Sequence, residues 1–455
     1  MSGERQVDLV PLRVAAKAWF LVSLQTFGGP AGQISVMHTE IVDRRRWVGE
    51  QRFLHALSYC TLLPGPEAQQ LAIYLGWLLN GTLGGLIAGI LFVLPGFLAI
   101  LGLSIVYAGW GGTAIVIAVL AGVAPAVIAI VAQAVVRLSA RALYSRVLAA
   151  LAVASFLALA VFAVPFPLVI VGAALIGYLV GRIRPALIKR PAGPAAGASV
   201  EPAVAPLIAD DELHQSTGSW PRAARILGVG LFLWVTPTLA VIAAFGRDSV
   251  FAEMGTFFSG TALVTFGGAY AVLAFVAQRA VEVYGWITAK NMIAGLALAE
   301  TTPGPLIMVV QFVGFLGAYN QPGNLDPWVA GVLASVLVTW VTFVPCFLFI
   351  FLGAPHVEGL RHNTALSAAL TGITAAVVGV IANLAVFFAV NTLFDQVDRI
   401  ETGPLDMQIP DLGTFDPLAA TVAALAFLLL FRLRWSVLRT LGTCALIGAI
   451  LDLMF

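Results

Sequence analysis

The sequence predicts an all-α polytopic membrane protein made of two inverted-topology repeats with broken, re-entrant helical hairpins, and three observations carry that expectation. Of 455 residues, 60% are hydrophobic and only 10% charged, whereas a soluble domain carries roughly 25% charge, so this chain cannot cover itself with a water-facing surface. Uncharged runs of about 20 residues, the length that spans a bilayer, recur along it. The chain also repeats itself. Thr26-Phe27-Gly28-Gly29 returns 239 residues later as Thr265-Phe266-Gly267-Gly268, and at the same offset Trp47 returns as Trp286 and Pro64-Gly65-Pro66 as Pro303-Gly304-Pro305. Gly76 pairs with Gly314, and then Pro95 with Pro345, Gly122 with Gly372 and Gln133 with Asn383 at an offset of 250, after an insertion that falls mostly in Ala318–Trp328. These landmarks divide the chain into a first repeat (1–190), a linker (191–221) and a second repeat (222–455).

Each repeat opens with an apolar run, 14–42 and 251–281, interrupted by Phe-Gly-Gly, followed by a second run, 50–80 and 288–319, interrupted by Pro-Gly-Pro. Nine stretches of ordinary spanning length accompany these four hairpins: 82–108, 112–138, 146–163 and 166–182, then 226–246, 327–353, 364–390, 415–431 and 436–454. That makes about 13 membrane segments in all. Lys and Arg mark the cytoplasmic side. If each broken run enters and leaves on one side, Arg13, Lys17, Arg44–Arg46, Arg52, Arg137, Arg141 and Arg146 fall inside, with Arg361, Arg432, Arg434 and Arg439. The acidic loop 395–411 falls outside, and Arg247, Arg279, Lys290 and Arg399 run against the rule. The N-terminus is then cytoplasmic and the C-terminus periplasmic. The span 226–246 has no counterpart in the first repeat and turns the second one over. The linker, rich in Pro, Ala and Gly, reads as a flexible cytoplasmic segment.

Composition excludes several functions. With 24 Lys+Arg against 23 Asp+Glu the net charge is +1, and no basic stripe offers a surface to nucleic acid. Cys60, Cys346 and Cys444 stand singly in apolar stretches, which argues against disulfides, metal or redox chemistry. No cofactor is expected. No GxSxG, HExxH or His/Cys cluster marks a catalytic centre, so an enzyme is not expected and no catalytic residue is assigned. Residues 1–12 are polar and lead straight into membrane sequence, so no cleavable signal is expected.

Inverted repeats with interrupted helices are the architecture of secondary transporters, with substrate near the midplane where the breaks meet. Non-helical backbone is tolerated inside a membrane only where protein buries it or water reaches it. Each break frees N–H groups at the start of the next half-helix, and Pro30, Pro66 and Pro305 suit a first helical position. Such a terminus carries about half a positive charge. Four of them would offer at most on the order of +2, which suits a small tetrahedral dianion. The candidate substrate-binding residues are Thr26, Phe27, Gly28 and Gly29; Pro64, Gly65, Pro66 and Gln70; Thr265, Phe266, Gly267 and Gly268; and Thr301, Thr302, Pro303, Gly304, Pro305 and Gln311. The threonine hydroxyls either donate into the break or bond back one helical turn. Glu67 and Glu300 are the proton or gating candidates, since an intramembrane carboxylate is costly and commonly functional. Glu300 precedes its break, where the helix dipole opposes a negative charge, and is the better proton carrier. Gln133 and Asn383 read either as deeper polar partners or as packing hydrogen bonds. His38 and His55 read as interfacial residues, and Gly81, Gly85 and Gly89 as close helix packing.

The motifs Thr26–Pro30 (TFGGP), Leu63–Gln70 (LPGPEAQQ), Leu71–Gly76 (LAIYLG), Thr265–Gly268 (TFGG), Ala299–Leu306 (AETTPGPL) and Gln311–Gly314 (QFVG) resemble the chromate ion transporter family, in particular its long two-domain bacterial members. The resemblance covers both halves. It implies a multi-pass protein of the bacterial inner membrane that exports chromate from the cytoplasm and confers chromate resistance. Export would be driven by membrane potential or a proton gradient, with sulfate as the competing look-alike. Ala269 departs from Pro30 at the matching place, which implies a differently shaped second break. A general sulfate-type oxyanion carrier, an anion channel and a membrane enzyme on lipid phosphates remain alternatives. The expected partners are the anion and the lipid bilayer, and a homodimer is compatible with such a chain.

Overall fold

Apolar runs without a Gly-Gly or Pro-Gly pair become long helices, and runs that contain one become two short helices. The computed structural model describes residues 9–27, 29–188, 206–208, 220–266, 268–354, 364–403 and 405–454. Gly28 and Gly267 of the two Phe-Gly-Gly breaks lie outside the described residues, as do Arg361 and most of the linker. The first half consists of α1 (Leu12–Gln25), α2 (Gly29–His38) with a π turn through Arg44, α3 (Glu50–Cys60), α4 (Glu67–Trp110), α5 (Ala114–Ala142), α6 (Arg146–Ala160) and α7 (Phe166–Ile183). Helix α8 (Trp220–Phe245) follows the linker. The second half has α9 (Val250–Val264), α10 (Ala269–Gln278) with a π turn through Val283, α11 (Ala289–Thr301), a 3-10 turn (Leu306–Met308) leading into α12 (Val309–Asn320), α13 (Pro327–Gly353) and α14 (Thr364–Leu393). A two-stranded antiparallel hairpin, β1 (Val397–Thr402) with β2 (Leu405–Pro410), precedes α15 (Pro417–Phe427) and α16 (Val437–Met454). Among the described residues six helices, α4, α5, α7, α8, α13 and α14, are long and apolar enough to cross a membrane. The chain is a multi-pass helical membrane protein.

The repeated motifs fold alike. The Trp47 amide donates to the Ile41 carbonyl and the Trp286 amide to the Ala280 carbonyl, each at 2.9 Å, with left-handed backbone at Arg46 (φ 51°) and Gly285 (φ 61°). One difference follows the insertion. In the first half the chain bends at Asn80 and Gly81 within α4, whereas in the second a loop separates α12 from α13.

The halves exchange partners. Helix α5 packs on α15 and α16, and α14 packs on α6 and α7. Small residues let these backbones meet: Gly122 lies against the Cys444 carbonyl and Gly448, and its counterpart Gly372 against the Ala173 carbonyl and Gly177. Gly85 and Gly89 likewise face Phe351 and Phe347, while Gly81 serves the bend with φ 62°.

Hydrogen bonds define two ends. At one, the Leu9 amide donates to the Leu79 carbonyl and Asn80 Nδ2 to the Val10 carbonyl, so the start of α1 meets the bend of α4. Linker residues 206–208 run beside Arg46–Gly49, with the Gly49 amide donating to Ile208 at 3.1 Å, and Ile208 is fully buried. At the other end of α4, Gly109 faces the Trp328 ring, and Asn320 and Gln321 donate to the carbonyls of Trp286 and Gly285. The β-hairpin belongs to this second end: Gln408 donates to Glu282 at 2.8 Å, and the Asp406 amide donates to the Val161 carbonyl at 2.9 Å.

Candidate substrate site

Each break has a local cause. After α1, Thr26 Oγ1 donates back to the Ser23 carbonyl at 2.7 Å, the Phe27 amide turns onto Gln25, and the chain restarts as α2 through Gly29 at φ 77°. After α9, Thr265 Oγ1 donates to the Thr261 carbonyl at 2.7 Å and the restart passes through Gly268 at φ 100°. In the Pro-Gly-Pro breaks Gly65 has φ 124° and Gly304 φ 108°. All four glycines occupy a left-handed conformation that a Cβ disfavours.

The breaks meet across the halves in a reciprocal pattern. The Gly304 amide donates to the Thr26 carbonyl at 3.0 Å, and the Gly65 amide donates to the Thr265 carbonyl at 2.8 Å. Each Phe-Gly-Gly break is thus tied to the Pro-Gly-Pro break of the other repeat. Gln33 Nε2, on α2, donates to the Gly304 carbonyl at 2.6 Å. Midway along α4, Gly96 abuts the Pro303 carbonyl, and its counterpart on α13, Cys346, abuts Gly65. Gln70 Nε2 donates to the Pro64 carbonyl at 2.7 Å, and Gln311 Nε2 to the Phe97 carbonyl at 3.0 Å.

This arrangement decides what each candidate can offer. The Gly65 and Gly304 amides are occupied by the reciprocal bonds. All four threonine hydroxyls donate back along their own helices, Thr301 to Leu298 and Thr302 to Ala299 included, so toward a ligand they can only accept, and Thr26 Oγ1 already accepts the Gly304 amide at 3.2 Å. Pro66 and Pro305 have no N–H. Among the described residues, the donors left without intrahelical partners include first-turn amides of α2, α4, α10 and the 3-10 turn leading into α12. Thr26, Thr265, Thr302, Gln70, Gln311 and Glu300 are buried, Phe27, Phe266, Pro64 and Pro303 are half-buried, and Thr301 is exposed. Gln70 Oε1, Gln311 Oε1, Glu300 Oε2 and both amide atoms of Gln69 are buried without a hydrogen-bond partner.

The two carboxylates differ. Glu67 sits half-buried in the first turn of α4, where the helix dipole complements its charge. Glu300 is 2% exposed, and its Oε1 accepts the Tyr270 hydroxyl. Gln133 donates to the Leu430 carbonyl at 3.4 Å, joining α5 to the π turn Leu428–Arg432 that follows α15. Asn383 lies away from the breaks and lines a cavity of about 90 Å³ beneath the β-hairpin, with Glu282, Arg399 and Gln408. His38 bonds Glu50 at 2.6 Å at the surface. Sequence reasoning missed Gln33, Gly96, Cys346 and Tyr270. Gly96 and Cys346 directly follow the matched Pro95 and Pro345, a repeat signal that marks the position without recording what arrives beside it.

A helical bundle broken at matched points in its two halves has the architecture of a membrane transport protein. The chain belongs to the chromate transporter family, whose profile matches residues 14–178 and 252–449. It is 32% identical over 365 residues to a chromate transport protein of Pseudomonas aeruginosa, covering 79% of this chain and 76% of that one. It is 27% identical to the chromate transport protein of Cupriavidus metallidurans, covering 81% and 80% of the two chains. A probable chromate transport protein of Synechococcus elongatus is also 27% identical, over 88% of this chain and 91% of that one. No solved structure matches the chain.

Proposed function

We propose that this protein is a secondary transporter that moves chromate out of the cytoplasm across the bacterial inner membrane, holding the dianion where the four breaks meet. The observation that carries this reading is the reciprocal pair of bonds, Gly304 to Thr26 and Gly65 to Thr265. These bonds join the ends of half-helices from both repeats in two pairs, one beside Gly96 midway along α4 and the other beside Cys346 of α13. The N-terminal ends of those half-helices favour an anion, and the amide oxygens of Gln70 and Gln311 are buried there without partners. The substrate follows from membership of the family and from relatives named as chromate transport proteins.

The repeats run in opposite directions in this reading, as about 13 segments. The start of α1 and the π turn after α2 lie at the cytoplasmic end; the matching turn after α10 and the β-hairpin lie outside. Alternating access is then a rocking of one repeat against the other around the junction. Outward movement gains from the membrane potential, which is worth roughly 5 kcal/mol per 100 mV for a dianion. Sulfate, with the same shape and charge, is the expected competitor.

The test is chromate flux in inside-out vesicles under an imposed potential. Gly29→Leu and Gly304→Leu each place a side chain in left-handed backbone at the junction and are expected to reduce potential-driven uptake to background. Undiminished flux in both variants overturns this site. Uptake driven equally by sulfate and chromate, with each displacing the other at matched concentration, assigns the protein as a general oxyanion carrier instead.

A further inference from the structure

The two repeats match in backbone at the junction but not in charge. Glu300 corresponds to Thr61 at the offset of 239, and Tyr270 to Ala31. The second repeat alone therefore places a buried carboxyl and a phenol at this point. The phenol hydroxyl donates to Glu300 Oε1 and also borders the first repeat's break, 3.9 Å from where a side chain on Gly29 would begin. The other carboxyl oxygen, Oε2, is buried with no partner. A carboxyl oxygen without a donor, in a place closed to solvent, is a place for a proton.

The surroundings supply little competing charge. Arg137 of α5, itself exposed, is the cation whose field reaches Glu300, and the other charge on α5, Arg141, lies one turn further on and is exposed as well. Helices α12 and α14, which pack on α11, carry no charged residue. The single charge in α4 is Glu67, at its start; α16 carries Arg439 in its first turn and Asp452 in its last; and Lys290 lies ten residues before Glu300 on α11 itself. Tyr270 and Arg137 are thus the groups that share the electrostatics of this carboxyl.

We propose that Glu300 and Tyr270 form a proton site coupled to the anion site, so that the anion binds together with a proton. This deepens the reading of the junction as an oxyanion site and rests on it. With Glu300 ionised, its charge repels a dianion at the junction and it holds the Tyr270 hydroxyl to itself. Protonation removes the repulsion and frees that hydroxyl to turn toward the Gly29 break as a donor. Both effects favour the anion, and by reciprocity the anion favours the proton.

The experiment is calorimetric titration of the purified full-length protein in nanodiscs with potassium chromate, in buffers of different ionisation enthalpy, across pH 6 to 9. Chromate's own protonation is common to every variant and cancels in the differences. The wild type is expected to take up a proton on binding, with affinity rising about tenfold per unit fall in pH where Glu300 is ionised in the free protein. Glu300→Gln is expected to bind chromate without that extra uptake and with that dependence abolished. Tyr270→Phe keeps the carboxyl but removes its donor; uptake is expected to persist with its pH profile moved toward higher pH, a shift that a merely structural tyrosine does not produce. Glu300→Gln taking up the same protons as wild type overturns the proposal and leaves the oxyanion site standing, as does an unmoved profile in Tyr270→Phe. Absence of chromate binding by the wild type overturns both.

Discussion

A methyl group on Gly96 would stand 2.8 Å from the Pro303 carbonyl oxygen, and one on Gly304 would stand 3.0 Å from the Cα of Gly96. Two backbones are in contact there, so neither neighbour can rotate away as a side chain could. Overpacking of this kind costs about 1–3 kcal/mol, and left-handed backbone at a non-glycine residue adds about 1–2 kcal/mol at Gly304. Gly96→Val is expected to lower the unfolding temperature in detergent and to abolish chromate flux. Gly102→Ala, on the same helix with no atom within 4 Å of its added carbon, is expected to leave both unchanged. Equal behaviour of the two variants would show that the contact between α4 and the Pro-Gly-Pro break is dispensable. The glycines of the breaks were legible in the sequence because Gly-Gly and Pro-Gly pairs interrupt runs that otherwise have no reason to stop. Gly96 was not, since nothing local to it records that a carbonyl from residue 303 arrives beside it. Tyr270 was hidden for the same reason: its partner is 30 residues away across a break.

At the scale of elements, hydropathy placed the long helices well, because a spanning helix is set by local composition alone. It did not reveal the β-hairpin, which the sequence showed only as an acidic loop. The strands pair in register from Val397 with Pro410 to Thr402 with Leu405, and Gly403 turns between them at φ 60°. Arg399 grips Asp406 across the pair, with Nε donating to Oδ1 at 2.7 Å, and these hydrogen bonds hold the Asp406 carboxyl below its ordinary range. A carboxylate with a depressed native pKa contributes stability above its unfolded value of about 3.9, and that contribution is lost as pH falls through the native value. Asp406→Asn is therefore expected to speed hydrogen exchange of the 397–410 amides relative to wild type at neutral pH. The difference is expected to narrow below about pH 4 and to vanish once the pH has fallen below the native value. A difference independent of pH would mean that the ion pair does not hold the hairpin. The packing of this hairpin on Glu282 and Val161 ties the C-terminal ends of α10 and α6 together, one from each repeat.

The whole molecule turns on the direction in which the repeats run. Duplication was legible from matched landmarks. The pairing of each break with the opposite kind of break in the other repeat was not, because a repeat offset carries no information about which copies touch. The reciprocal bonds and the exchanged packing of α5 and α14 both relate the halves by an approximate two-fold operation. Such an operation can lie along the membrane normal or within its plane. The inverted reading proposed above requires the plane, with the turn after α2, which pairs with residues 206–208, on one side and the turn after α10, which pairs with Asn320 and the β-hairpin, on the other. Labelling with a membrane-impermeant thiol reagent checks this directly once the three buried cysteines are replaced by serine. Asp43→Cys and Val283→Cys lie in the matching π turns of the two repeats. Intact cells are expected to label Val283→Cys and Leu412→Cys, whereas Asp43→Cys and Leu207→Cys react only after the membrane is opened. Labelling of Asp43→Cys and Val283→Cys from the same side would place the two-fold along the membrane normal. Both Phe-Gly-Gly breaks would then open toward one compartment, and a rocking exchange of access between the repeats would have no symmetric partner state to reach.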